Sequence, residues 1–199
     1  MRGNDVEKKM NISVLVSGGG TNLQAVIDKI EDGYLEDAKI VQVISSKEGA
    51  YALERAAKAG IKVKVIKDTS KLLLALETEK TDIILLAGYM RVLEPAVIQA
   101  YPKRIVNIHP SLIPKYSGKG FYGHHVHEAV IAAGEKVSGA TVHFVDEGVD
   151  TGEIILQREV LVKADDTPET LAARVLKTEH EILSEGLKTV IIDMKLGGK

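Results

Sequence analysis

The sequence of 199 residues contains no cysteine and no tryptophan, and it has only two phenylalanines. The lack of cysteine excludes disulfide bonds, thiolate zinc sites and cysteine nucleophiles, and it fits a reducing compartment. Because aromatic residues make up only 4% of the chain, we do not expect a surface that stacks nucleic-acid bases.

Strong charge of one sign and long apolar runs are also missing. The formal net charge is -2 at pH 7 and no long basic or acidic run occurs, so electrostatics do not support a nucleic-acid or membrane partner. The first ten residues lack the apolar core of a signal peptide, and no apolar run is long enough to span a bilayer. We therefore expect a cytoplasmic protein.

Short apolar runs alternate with amphipathic stretches over the first half of the chain. This alternation predicts an α/β fold, with a Rossmann-like, mostly parallel sheet and helices on both faces. Predicted strands lie at residues 11–16, 39–44, 62–66, 82–87 and 104–108, and predicted helices at 21–30, 52–60, 71–79 and 94–101. For the first helix, Thr21 or Asn22 is the expected N-cap.

The second half has a different order of elements. After a loop at residues 110–123 and a helix at 127–133, two strands at 140–145 and 153–162 follow each other through a polar turn, which predicts an antiparallel pair. A capping sequence at residues 166–169 then opens a long carboxy-terminal helix.

No repeat, low-complexity tract or linker divides the chain. We therefore expect one domain over residues 11–194. Residues 1–10 are expected to form a disordered or extended amino-terminal extension, and residues 195–199 a frayed tail.

A glycine-rich turn at residues 17–22, Ser-Gly-Gly-Gly-Thr-Asn, joins the first strand to the first helix. Backbone N–H groups at such a helix start form an anion site, and glycines let a phosphate approach closely. A dinucleotide fingerprint would need glycine in place of Leu23, and a Walker A loop would need Gly-Lys-Thr/Ser, so neither motif fits. The turn is either a phosphate loop or a tight turn that needs glycine only for its backbone.

Asn107 and His109 lie on one face of the fifth strand because strand side chains alternate. They stand at its carboxyl end, where open α/β sheets bind ligands. An amide can stabilise a carbonyl oxygen that gains negative charge, and a histidine can transfer protons near neutral pH. The alternative is a structural pair bonded to neighbouring backbone.

Other polar clusters leave similar alternatives. A carboxylate of the turn at residues 146–152 could orient His109, or this turn could be a solvated hairpin. His124, His125 and His127 could bind a metal, but no cysteine assists them, and solvent-facing or loop-packing histidines are the simpler interpretation. Glu179 and His180 on the last helix are expected on a solvated face.

Several stretches, in order over nearly the whole chain, resemble the folate-dependent phosphoribosylglycinamide formyltransferases of purine biosynthesis. They include Asn-Ile-His-Pro-Ser-Leu-Ile-Pro and Gly-Ala-Thr-Val-His-Phe-Val. The matching stretches are residues 16–25, 53–56, 85–93, 107–115, 139–145, 150–152, 155–157 and 174–180. The resemblance implies a transferase that takes its formyl group from 10-formyltetrahydrofolate.

The resemblance also implies a role for individual residues, with Asn107, His109 and Asp150 as the catalytic group. The implied phosphoribosylglycinamide site consists of Gly19, Gly20, Thr21, Asn22, Leu176, Lys177, Thr178 and Glu179. The implied folate site consists of Met90, Arg91, Val92, Leu93, Asn107, Asp146, Glu147, Gly148, Val149 and Asp150. We expect small-molecule substrates, no metal, no nucleic-acid or membrane partner, and a monomer or weak homodimer.

Two stretches depart from the family pattern. The stretch at residues 67–82 contains fewer residues than the equivalent stretch in many family members, so no folate contact is assigned there. Residues 117–127 carry a Gly-Lys-Gly-Phe-Tyr-Gly pattern found in only part of the family.

Three alternative functions remain. A formyltetrahydrofolate hydrolase shares the three catalytic residues but passes the formyl group to water, and it typically carries an amino-terminal regulatory module for which we expect no room before Asn11. A methionyl-tRNA formyltransferase normally has a further carboxy-terminal domain and a basic surface. A phosphate-binding module without catalysis would have no use for the three residues.

Overall fold

The structure is a computed structural model that describes residues 8–197, and it contains seven strands and six α-helices in that range. The strands are β1 (Met10–Val16), β2 (Ala38–Ser45), β3 (Val63–Val65), β4 (Ile83–Leu86), β5 (Ile105–His109), β6 (Val137–Phe144) and β7 (Ile154–Leu161). The helices are α1 (Thr21–Glu31), α2 (Tyr51–Lys58), α3 (Leu72–Thr78), α4 (Pro95–Ala100), α5 (His124–Ala132) and α6 (Pro168–Lys195).

All seven strands form one sheet in the order β3-β2-β1-β4-β5-β6-β7. Strands β1 to β5 are parallel, and β6 and β7 are antiparallel to their neighbours. The predicted fold class is therefore confirmed. The strand order reverses between β1 and β4, and open α/β sheets bind ligands at the carboxyl ends of the strands beside such a reversal.

Two hydrophobic cores cover the two faces of the sheet. Val14 packs with Leu23 of α1 and Leu183 of α6 on one face, whereas Leu15 packs with Leu72 of α3 on the other. Neighbouring residues of β1 serve opposite cores because strand side chains alternate. Full burial of each such leucine or valine stabilises the fold by about 1.5–3 kcal/mol.

The long helix α6 begins as the capping sequence predicts. The Thr167 hydroxyl accepts a hydrogen bond from the Thr170 N–H at 3.3 Å, and the Thr170 hydroxyl accepts one from the Thr167 N–H at 2.9 Å. Pro168 occupies the first turn, where its missing N–H costs nothing. The helix then packs its apolar face on the sheet.

The expected amino-terminal extension and carboxy-terminal tail are only partly covered by the structure. Residues 1–7 and 198–199 lie outside the described residues. Met10 is the first residue of β1, and Lys195 is the last residue of α6. Between residues 8 and 197, no helix combines the length and the apolar character that crossing a bilayer requires.

The predicted N-cap of α1 is wrong. Gly20, rather than Thr21 or Asn22, occupies the N-cap position, with φ of 73° and no side-chain hydrogen bond to the helix. This backbone conformation favours glycine. In addition, a Cβ atom at Gly20 would lie 2.5 Å from the Cβ of Ala52, so α2 approaches the turn too closely for any side chain.

Candidate active site

A cleft of about 520 Å³ opens at the carboxyl ends of β1, β4 and β5. Its walls come from six separate parts of the chain. They are Asn22 on α1, residues 88–92 after β4, residues 107–110 at the end of β5, the loop at residues 118–123, residues 149–150, and Glu179 on α6. The cleft therefore lies where the strand order predicts a ligand site.

Asn107 is paired with His143 across the antiparallel β5–β6 ladder. The Asn107 Nδ2 atom lies 3.0 Å from His143 Nε2, and His143 Nδ1 lies 2.8 Å from the carbonyl oxygen of Phe144. Because the carbonyl oxygen of Phe144 can only accept a hydrogen bond, His143 Nδ1 carries the proton. Burial lowers the pKa of His143, so the ring is neutral at pH 7 and Nε2 is an acceptor.

This arrangement fixes the orientation of the Asn107 amide. One N–H of Asn107 donates to His143 Nε2, which leaves the second N–H of the same amide as a donor in the cleft. A donor held in this way suits stabilisation of an oxyanion, because it needs no reorganisation as charge develops.

His109 is buried, with 5% of its surface exposed, and each of its ring nitrogens faces an oxygen acceptor. Nε2 donates to the carbonyl oxygen of Tyr116 at 2.9 Å. Nδ1 lies 3.6 Å from the Oδ2 atom of Asp150. A protonated His109 would therefore donate from Nε2 to Tyr116 and direct its Nδ1 proton toward Asp150.

Asp150 is the carboxylate of the acidic turn that reaches the histidines. Its side chain is 12% exposed, its Oδ1 atom lies 3.7 Å from His143 Nε2, and its Oδ2 atom accepts a hydrogen bond from the Gly118 N–H at 2.9 Å. Asp150 also has φ of 57°, a conformation that Asp and Asn tolerate better than most residues. The solvated-hairpin interpretation holds for residues 146–149, which are exposed, but not for Asp150.

Glu179 is buried, with 7% exposed, so the expectation of a solvated face is wrong for this residue. Asn22 Nδ2 donates to Glu179 Oε2 at 2.8 Å and joins α1 to α6. Burial raises the pKa of Glu179 to about 7, and the Asn22 hydrogen bond opposes that rise without cancelling it. The cleft therefore holds a carboxyl group that changes charge near neutral pH.

The glycine-rich turn lies beside this pair at the start of α1. Arg55 Nε donates to the carbonyl oxygen of Gly19 at 2.8 Å, and the Ala52 N–H donates to that of Gly18 at 3.1 Å. These contacts involve carbonyl oxygens and do not occupy the first N–H groups of α1. Those N–H groups point along the helix axis, out of its amino-terminal end. Of the residues assigned to this loop, Asn22 is the one that lines the cleft.

Leu176, Lys177 and Thr178 lie on α6 before Glu179, and they do not line the cleft. Lys177 is exposed, and the other two are partly buried. Their assignment to the substrate site remains a prediction.

A second cavity of about 130 Å³ adjoins the main cleft and contains most of the residues assigned to folate. Residues 91–93 line one side and residues 146–150 the other, with Asn107 and His143 between them. Met90 lines the main cleft instead, and its N–H donates to the Ser17 hydroxyl at 2.9 Å. The implied catalytic and folate residues thus surround one continuous region.

The histidine cluster at the start of α5 separates into two environments. His124 and His125 are exposed and contact the carboxylates of Glu169 and Glu128 at 3.2 Å and 3.0 Å. His127 is buried, and burial lowers its pKa to about 4. Among residues 8–197, no group of three or more histidine, cysteine, aspartate or glutamate side chains is arranged to hold a metal ion.

His143 is the site residue that the sequence reasoning gave no role. It is the next-to-last residue of β6, and strand alternation alone does not decide which face of the sheet it occupies. The signal that identifies it is its partner in the ladder, Asn107, and that pairing depends on the register between β5 and β6.

A family comparison supports the chemistry that these residues suggest. The formyl transferase family model matches residues 10–187. The chain belongs to the formyl transferase family. It is therefore related to enzymes that transfer formyl groups.

Individual relatives make the similarity more specific. The chain is 40% identical over 188 residues to the chloroplastic phosphoribosylglycinamide formyltransferase of Arabidopsis thaliana, covering 89% of this chain and 64% of that protein. It is 41% identical over 193 residues to the human trifunctional purine biosynthetic protein adenosine-3, covering 92% of this chain and 18% of that protein. The chain thus spans less than two thirds of either protein.

A solved structure matches over nearly its whole length. It is the phosphoribosylglycinamide formyltransferase of Brucella melitensis, with a TM-score of 0.83 and 41% identity, covering 92% of this chain and 96% of the other.

Proposed function

We propose that this chain transfers the formyl group of 10-formyltetrahydrofolate to the amine of N1-(5-phosphoribosyl)glycinamide, a step of de novo purine biosynthesis. The observation that supports this most directly is the convergence of Asn107, His109 and Asp150 at one cleft. Membership of the formyl transferase family and similarity to phosphoribosylglycinamide formyltransferases support the choice of substrates. A cytoplasmic location, the absence of a metal and a monomer or weak homodimer remain predictions.

The two substrates would occupy adjoining parts of the cleft. The phosphate would lie at the start of α1, where unpaired N–H groups and the helix dipole attract anions. The folate ring would lie between residues 91–93 and 146–150, which line the smaller cavity. Asn107 belongs to both cavities, so the formyl carbon would lie next to its amide.

The substrate amine would attack the formyl carbon directly. The tetrahedral intermediate carries a negative oxygen, to which the free N–H of Asn107 donates. A protonated His109, with its Nδ1 atom beside Asp150, would add positive charge close to the same oxygen. Collapse breaks the bond between carbon and the folate nitrogen, and a proton lost by the amine is delivered to that nitrogen through His109.

The test is a change in folate absorbance when the purified protein meets both substrates. Turnover that requires the glycinamide supports the transferase. Turnover of 10-formyltetrahydrofolate in water alone would indicate the hydrolase, and transfer to methionyl-tRNA would indicate the tRNA-modifying relative. Binding of both compounds without turnover would indicate a non-catalytic module and would contradict the proposal.

A further inference from the structure

Tyr116 has a backbone conformation that is unusual for a residue with a side chain. Its φ is 51°, in the left-handed region, where a bulky residue pays roughly 1 kcal/mol or more. Such conformations persist only where surrounding contacts enforce them, and they concentrate at functional sites. Three independent sets of contacts enforce this one.

The first contact is made by the backbone carbonyl of Tyr116. It accepts a hydrogen bond from His109 Nε2 at 2.9 Å and a second from the Ser111 hydroxyl at 3.2 Å. The same hydroxyl donates to the carbonyl oxygen of Lys115 at 2.7 Å. Ser111 is 1% exposed, so this hydroxyl ties two successive carbonyls to the end of β5 inside the protein.

The second contact is made by the side chain of Tyr116. Its hydroxyl donates to Glu135 Oε1 at 3.0 Å, and the Lys115 ammonium donates to the same oxygen at 3.0 Å. These two hydrogen bonds lower the pKa of Glu135, so its carboxylate is charged at neutral pH. Glu135 lies between α5 and β6, outside the loop that it holds.

The third contact is between aromatic rings. Phe121 meets Tyr116 edge to face, with ring centroids 5.9 Å apart and an interplanar angle of 77°. Such a pair contributes about 0.5–1.5 kcal/mol beyond the area it buries. Because Phe121 also lines the cleft, the contact joins the turn to the cleft wall.

We propose that Tyr116 is a positioning residue for His109. Ser111 and Glu135 hold Tyr116 in its left-handed conformation, and the Tyr116 carbonyl then fixes the His109 ring. Since Nε2 is committed to this carbonyl, Nδ1 is the nitrogen that faces Asp150 and exchanges protons with the reacting groups. The consequence for catalysis rests on the proposed formyl transfer, whereas the fixed tautomer does not.

Two variants test the positioning, Ser111→Ala and Tyr116→Phe. Ser111→Ala removes the bifurcated hydrogen bond from one hydroxyl proton to the carbonyls of Lys115 and Tyr116, and Tyr116→Phe removes only the hydroxyl anchored by Glu135. We expect kcat to fall by about tenfold to a hundredfold in Ser111→Ala, and less in Tyr116→Phe, with KM unchanged, because misplacement of a catalytic group impairs the chemical step.

The matched control is Ser117→Ala. The Ser117 hydroxyl donates to the carbonyl oxygen of Pro114 at 3.0 Å in the same loop, but it does not contact the Tyr116 carbonyl. We expect this variant to keep the wild-type kcat. Circular dichroism and urea unfolding of each variant verify that it is folded.

The second readout is the tautomer of His109, measured by long-range ¹H–¹⁵N spectra of the imidazole rings without substrates at pH 8. The spectrum of His109→Gln identifies its signals among the six histidines. We expect a dominant Nε2–H form in the wild type and in Ser117→Ala, and a mixture of tautomers in Ser111→Ala.

The two readouts separate this inference from the proposed function. An unchanged His109 tautomer in both folded variants would overturn the positioning role, even if kcat fell. A changed tautomer with wild-type kcat would overturn it as well. If the wild-type protein catalyses no formyl transfer, the proposed function fails, and the spectra alone then decide whether Tyr116 fixes His109.

Discussion

The buried carboxyl of Glu179 makes the stability of the protein depend on pH in a direction opposite to that of most carboxylates. Its pKa rises from the ordinary value of 4.5 to about 7 because burial disfavours the charged form. Between these two values the native state binds more protons at Glu179 than the unfolded state does. The stabilisation is therefore complete below pH 4.5 and is lost as the pH rises through about 7.

The size of this effect follows from the two pKa values. At about 1.4 kcal/mol per pKa unit, the difference between 4.5 and about 7 corresponds to about 3–4 kcal/mol of unfolding free energy over the whole pH range. In Glu179→Gln the side chain stays neutral and its amide oxygen can still accept the hydrogen bond from Asn22. The variant should therefore lack this loss of stability.

Urea unfolding at pH 5 and pH 7.5 measures the effect directly. We expect the wild type to lose about 2 kcal/mol more than Glu179→Gln between the two pH values, because at pH 5 the unfolded-state carboxyl is already mostly ionised. Glu181→Gln is the control, because Glu181 lies on the same helix with its side chain 65% exposed, and it should follow the wild type. Equal pH dependence in the wild type and Glu179→Gln would refute the reasoning.

Two further predictions concern the cleft, and a third concerns the glycine-rich turn beside it. Asn107→Ala and His109→Ala should each lower kcat by about 10²–10³-fold with little change in KM, because each removes a group that acts in the transition state. Steady-state kinetics measure both parameters, and near-wild-type turnover in either variant would refute the assignment. Asp150→Asn should lower kcat by about 10²-fold and move the acidic limb of the pH–rate profile, since asparagine keeps the shape and tolerates the positive φ but loses the charge; an unmoved limb would argue against electrostatic tuning. Gly20→Ala should destabilise the protein by about 1–3 kcal/mol in urea unfolding, because the new Cβ would lie 2.5 Å from that of Ala52; a stability equal to wild type would show that α2 moves aside freely.

The sheet could be predicted from the sequence because its strands are short apolar runs, and their alternation with helices dictates parallel neighbours. At most of these elements, the predicted boundaries lie within a few residues of the observed ones. The placement of Asn107 and His109 on one face followed from strand alternation, a rule that needs no tertiary information. Local chemistry was therefore enough for this part of the site.

The burial of Glu179 could also have been found in the sequence. Val175, Ile182 and Leu183 stand four residues before it and three and four residues after it, so helical periodicity places Glu179 on the apolar face of α6. Its charge favoured the opposite interpretation, because glutamate is almost never buried unless it is paired. The partner, Asn22, is 157 positions away and no local pattern connects them.

Two features of the site depend on tertiary structure alone. The pairing of Asn107 with His143 is set by the register of two antiparallel strands, and a shift of one residue would turn His143 to the other face. The left-handed conformation of Tyr116 is held by hydrogen bonds with Ser111, five positions earlier in the same loop, and with Glu135, which lies beyond α5. Neither follows from the residues around it.

The hydrogen bond between Asn22 and Glu179 has a consequence for protein synthesis. It joins the first helix to the last, so a nascent chain whose carboxy-terminal helix is still inside the ribosome lacks one wall of the cleft. Every earlier intermediate would expose the glycine-rich turn without its neighbouring carboxyl group. The cleft would then be complete only after α6 has left the ribosome, and premature termination before α6 would leave the cleft without this wall.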